Sequence, residues 1–154
     1  MRAVIVAVLI GAVVFGGVYL FVSRPSPAPE QGAAPAAASA ASGSVRRDQG
    51  EGGVEIEVTY GGPQAARYEP DRYTVFIVAM TTHSGDLTRY DMVKVSELRA
   101  GGRTFQPLRW VSTSDDSHHR SGVLIFPKVA SGQPIELVIK TIAGAAARTF
   151  RWTP

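Results

Sequence analysis

Residues 54–60 read V-E-I-E-V-T-Y, and this alternation restricts the chain more than any other stretch does. Successive side chains of an extended strand point to opposite faces. Val54, Ile56, Val58 and Tyr60 therefore share one face, and Glu55, Glu57 and Thr59 the other. A helix would scatter the same residues around its circumference. The period of two recurs along the chain. Y-T-V-F-I-V-A-M at 73–80 is apolar on both faces and predicts a central strand. M-V-K-V-S-E-L at 92–98 reads as the next strand, with Val93 and Val95 on a common face. A-G-G-R-T-F at 100–105 predicts a hairpin turn through Gly101 and Gly102. Shorter strands follow at 108–111, 122–127, 134–142 and 148–152. In the third of these Ile135, Leu137, Ile139 and Thr141 share a face; in the fourth Phe150 and Trp152 are apolar positions. Such a run of short strands without a helical pattern predicts an all-β fold. The expected architecture is an antiparallel β-sandwich, immunoglobulin-like in the broad sense, with a small closed barrel as the alternative.

Upstream the pattern changes twice. Ala3 to Ser23 is apolar and uncharged. As a helix it would span roughly 30 Å, the thickness of a bilayer's hydrocarbon core. Its length favours an uncleaved transmembrane signal anchor over a cleavable signal peptide, whose apolar core is about 7–15 residues. Arg24 to Gly50 is built mostly from Ala, Pro, Ser and Gly, with Val45 as its only bulky apolar residue. Such a segment cannot offset its ordering entropy by burial, so a disordered linker is expected, with a reach of roughly 30 Å. Three regions result: an anchor at 1–23, a linker at 24–50 and a β-sandwich domain at 51–154.

The formal charge of +3 misleads. From Glu51 onward 12 Lys and Arg face 11 Asp and Glu, and the excess lies in Arg2, Arg24, Arg46 and Arg47. No basic stripe with interleaved aromatics is present, so nucleic acid is not an expected partner. The chain has no cysteine, which excludes disulfides and thiolate metal sites.

The three histidines fall at expected strand ends: His83 in T-T-H-S-G-D-L, and His118 and His119 in S-D-D-S-H-H-R-S-G. Antiparallel neighbours would bring these two segments together. Three chemistries fit them. With Asp86, the histidines His83, His118 and His119 form a candidate metal set for Zn or Cu. Thr82, His83, Ser84, Asp86, His118, His119 and Arg120 form a candidate structural clasp, in which imidazoles, short polar side chains and a guanidinium satisfy loop backbone. Ser84 or Ser121 beside a His and an Asp would compose a hydrolytic triad, but no nucleophile-elbow G-x-S-x-G occurs, and no phosphate loop, dinucleotide fingerprint or H-E-x-x-H either. Trp110 and Trp152 read as core residues.

T-H-S-G-D-L at 82–87, the strand at 91–98, Trp110, H-H-R-S-G-V-L-I-F at 118–126 and R-T-F-R-W at 148–152 together resemble a family of small prokaryotic envelope domains. Its hallmark is a T-H-S-x-x-L segment followed by W and H-H-R-x-G-x-L-x-F. The resemblance runs from Val75 to Trp152. It implies that His83, Ser84, Asp86, His118, His119 and Arg120 belong to one constellation; it implies no activity. The family's glycine-rich approach to the histidine pair is replaced here by S-T-S-D-D-S at 112–117.

The expectation that emerges is a single-pass protein of the cell membrane with its C-terminal domain extracytoplasmic. That domain would be a binding or interaction module needing no cofactor, with the membrane and an envelope protein as partners. A metal-dependent or hydrolytic envelope enzyme using the same histidines is the alternative, and a structural subunit of an envelope complex the third reading.

Overall fold

In the strand at 54–60 the alternation becomes burial: Val54, Ile56 and Val58 are 2%, 0% and 0% exposed. The computed structural model describes residues 44–48 and 50–154. The expected anchor, and the expected linker as far as residue 43, lie outside them. Among the described residues no helix is long and apolar enough to cross a membrane.

The elements run β1 (Ser44–Arg47), β2 (Val54–Tyr60), β3 (Tyr73–Thr82), α1 (Met92–Val95), β4 (Ser96–Ala100), β5 (Arg103–Phe105), β6 (Arg109–Asp115), β7 (His119–Pro127), β8 (Ile135–Lys140) and β9 (Ala147–Trp152). They form a five-stranded sheet in the order β1-β2-β3-β7-β6 and a four-stranded sheet in the order β5-β4-β8-β9. Every ladder is antiparallel. The two inner faces share one core, in which Ile56, Phe76 and Leu124 of the first sheet meet Leu98, Leu137 and Phe150 of the second. Each fully buried side chain of this size contributes about 1.5–3 kcal/mol. The likeness to an immunoglobulin domain stops at the two layers. There the sheets follow A-B-E-D and C-F-G, whereas here three consecutive strands, β1 to β3, are neighbours.

β3 is central, as its two apolar faces require. Its inward residues Phe76, Val78 and Met80 join the main core. On the outer face Val75 packs with Val123, Ile125 and Ala65 in a second cluster, which Tyr68 and Ile77 border. Ala65 and Tyr68 belong to the 3-10 segment Pro63–Tyr68, which carries the chain from β2 to β3. The Gly101-Gly102 turn joins β4 to β5 as expected.

Four local expectations are corrected. Sheet pairing reaches back at least to Ser44, ahead of Glu51, because β1 pairs with the edge of β2 from Ser44↔Tyr60 to Arg47↔Glu57. Main-chain pairing holds this segment, not apolar burial: Val45 remains 43% exposed. Residues 92–95 form one helical turn, not the start of a strand. Asp91 caps it by accepting hydrogen bonds from the Val93 and Lys94 amides at 3.1 and 3.4 Å. Met92, not Val93, is then buried, and Val95 packs on the core one turn later. Ser112–Asp115 continues β6 with a register shift between Ser112 and Ser114, where a loop was expected. Thr141 leaves the apolar face of β8 altogether and adopts a left-handed φ of 59°.

Candidate functional site

The β3–β7 ladder decides which loops meet. Thr81 pairs with His119 and Met80 with Arg120, so the end of β3 lies beside the start of β7. The contact continues past the strands: the Thr82 amide donates to the His118 carbonyl at 3.0 Å, and the Leu87 amide to the Ser117 carbonyl at 2.9 Å. The Thr82 hydroxyl lies 2.9 Å from the Gly53 carbonyl and 2.7 Å from the Ser84 carbonyl, drawing a third connection into the same end.

Arg120 is the centre of this end. It is 8% exposed although it carries a charge. Its guanidinium donates to the carbonyls of Leu87 (3.0 Å) and Tyr90 (2.7 Å), and to the Asp115 carboxylate at 2.9 Å. Its cation also lies 5.6 Å from the centroid of the Trp110 ring. One side chain thus ties the β3–α1 connection to β6 and β7. Trp110 can lie across β7 only because residue 122 is glycine: a Cβ there would come within 2.4 Å of the indole and 2.6 Å of the Val111 carbonyl.

A second buried arginine does the same for the connections on the other side. Arg148 is 3% exposed. It is bonded to the Asp48 carboxylate, to the Glu51 carbonyl and, at 2.9 Å, to the Ile142 carbonyl. Asp48 in turn accepts from the Ile56 amide at 2.8 Å. Tyr90 links the two arginines. Its carbonyl accepts from Arg120, and its hydroxyl accepts from the Ala143 amide at 2.9 Å. Ala143 and Thr141 hold left-handed φ values of 52° and 59°, a costly arrangement for residues with a Cβ. The turn persists because Arg148 and Tyr90 grip it and Gly52 packs beneath it, where a Cβ would meet the Ala143 carbonyl at 2.2 Å.

The expected clasp therefore exists with different members. Thr82 and Arg120 belong to it, and Asp86 satisfies the Thr88 amide within its own turn. Asp48, Tyr90 and Arg148 belong to it and were missed. A signal for the arginines was available: Arg148 alternates with Phe150 and Trp152, and Arg120 with Gly122, Leu124 and Phe126, so both occupy inward positions of their strands. The histidines do not act as struts. His83, His118 and His119 are all exposed, and none of their rings hydrogen-bonds to protein among the described residues. His83 and His119 adjoin the inward Thr82 and Arg120 and so face outward, and His118 lies just before β7 begins.

The acids at this end are committed locally. Asp86 caps the 3-10 turn Leu87–Arg89 by accepting from the Thr88 amide and hydroxyl, at 2.8 and 2.6 Å. These bonds, side chain first, hold its carboxyl below the usual aspartate range. Asp116 accepts from the His118 and His119 amides at 2.8 and 2.9 Å, and both bonds lower its pKa. Asp115 is lowered by hydrogen bonding from Ser112 and then from Arg120. Among the described residues no group of three or more His, Asp or Glu is arranged to hold a metal ion. The expected set of His83, Asp86, His118 and His119 does not converge.

Far from the histidines, an open hollow of about 450 Å³ lies between the β4–β5 turn, the start of β8 and the end of β9. Arg99, Glu136 and Arg151 border it, and Glu136 accepts from both arginines, at 3.1 and 2.8 Å.

Fold and site together define an all-β, two-sheet domain whose connections at one end are tied by two buried arginines. Comparison with family models, curated proteins and solved structures finds no match.

Proposed function

We propose that this chain is a membrane-anchored extracytoplasmic interaction module that presents its arginine-clasped end to an envelope protein. The observation that carries this reading is the contrast at that end between a fixed backbone and exposed imidazoles. His83, His118 and His119 stand on connections held by Arg120 and Thr82, so a partner would meet them without first having to order them. The uncharged run at 3–23 supplies the anchor in this reading, and the motif resemblance supports the envelope location. The two-layer body suits display of end loops, as in immunoglobulin-like modules. The chain also enters β1 at Ser44, which pairs with Tyr60 at the end of the sheet opposite Thr82.

The test is photo-crosslinking in intact cells, with a photoreactive residue at position 83, 118 or 119 and another at 71 as control. A discrete adduct from the histidine positions and none from position 71 is the expected result. Absence of an adduct from all three histidine positions would overturn the reading. Alanine at all three positions is expected to shift stability by no more than about 0.5 kcal/mol, since exposed side chains without partners contribute little.

A further inference from the structure

Charge is distributed unequally between the two ends of the domain, and so is exposed apolar surface. Among the described residues, the side chains without an ion-pair partner divide sharply. At the clasped end these are Glu51, Glu55, Asp86 and Asp116 against Arg89 alone. Arg46, also without an ion pair, spends its donors on the Val45 and Arg151 carbonyls; at the opposite end, where the chain enters at Ser44, they are Arg67, Arg103, Arg109 and Lys128 against Asp71. All four of these cations are exposed. The large hydrophobic residues standing exposed among the described residues are Val45 and Leu108, at 43% and 56%. Both belong to the basic end: Val45 pairs with Thr59 near the start of β1, and Leu108 directly precedes Arg109.

We infer that this basic end docks on an anionic phospholipid surface, with the cations on headgroup phosphates and Leu108 in the interfacial layer. Cations near a bilayer surface each add attraction to anionic lipid, and an apolar side chain among them adds interfacial partition. The exposed leucine separates this ligand from nucleic acid, which offers phosphate but no apolar layer. Tyr68, Tyr73 and Phe105, which could stack on bases, lie instead under the guanidinium groups of Arg67, Arg72 and Arg103. The inference deepens the anchored reading, since residues 3–23 would bring the domain to a bilayer. It does not depend on that anchor for affinity.

The experiment has two arms. The full-length protein is reconstituted in vesicles of phosphatidylcholine, with and without phosphatidylglycerol, and amide exchange is read by mass spectrometry. Residues 61–72 and 101–109 are expected to exchange more slowly on the anionic vesicles, reversibly with high salt; equal exchange on both would overturn the inference. Residues 44–154, which carry both sheets and their shared core, are then sedimented with the same vesicles. Retention on the anionic vesicles is expected to fall at least about tenfold in the triple variant Arg67→Glu/Arg109→Glu/Lys128→Glu, to fall less in Leu108→Ser, and to stay unchanged in Arg89→Glu. A thermal melt confirms that each variant is folded. Retention equal on both vesicle types, or preference for a random DNA duplex over vesicles, would overturn the inference. Carbonate extraction of the full-length protein tests the anchor alone. Loss of the anchor with vesicle binding retained would refute the anchored reading and leave the docking surface standing.

Discussion

The two ends of the domain use arginine in opposite ways. At the clasped end Arg120 and Arg148 are 8% and 3% exposed, and each spends its donors on main-chain carbonyls and one carboxylate. At the basic end Arg67, Arg103 and Arg109 stand in solvent without a carboxylate partner among the described residues. The same side chain is a structural tie where its donors meet unpaired carbonyls and a surface charge where they meet water. Burial decides which, because an unpaired cation inside protein is far costlier than one in solvent. Left-handed backbone at residues with a Cβ occurs at both ends, since Glu69 at the basic end holds a φ of 52°. Thr141 and Ala143 hold left-handed conformations under the grip of Arg148 and Tyr90.

The contrast breaks most visibly at Arg148. Arg148→Ala would leave Asp48 part-buried and unpaired, and would strip bonds from the Ile142 and Glu51 carbonyls. A loss of about 3–5 kcal/mol is expected in chemical denaturation. A loss below about 1 kcal/mol would mean that the buried pair does not hold this end together. Arg120→Ala comes next, at about 2–4 kcal/mol, because the Leu87 and Tyr90 carbonyls lose their donor and Trp110 its cation. Amide exchange should rise in residues 83–95 and not in residues 61–72; a uniform rise would show that the two ends are not independent. The smallest effect is that of acid. Asp86, Asp91, Asp115 and Asp116 all have pKa values lowered from 3.8, so the folded state binds fewer protons at these groups than the unfolded one. Their contribution is complete at neutral pH and is lost as pH falls from about that ordinary value through the lowered ones. The turns at 86–91 and 115–119 should therefore open first on acidification, read by exchange below that pH, ahead of residues 61–72.

The legible part of this protein was the part governed by a single strand's alternation. V-E-I-E-V-T-Y, the doubly apolar β3 and the Gly101-Gly102 turn carry their geometry locally, and the structure places them as the pattern required. The meeting of the loops after β3 and before β7 was readable too, since adjacent antiparallel strands bring those ends together. The histidines are few, but rarity carries no geometry. A count of residue types does not say which side of a strand end faces solvent. The helical turn at Met92 was hidden because M-V-K-V satisfies a period of two and a spacing of three at once; the Asp91 cap decides between them.

Composition and alternation by themselves determined that residues beyond the apolar run would make a sheet protein with a two-sided central strand. Only the tertiary structure decided that two inward arginines, a hundred residues from one partner in Arg148's case, would bind the connections of one end together. The reason is physical. A strand's facing is a property of neighbouring residues, whereas a buried charge is tolerable only where distant segments converge to supply its acceptors. That convergence does not exist until the two sheets have packed.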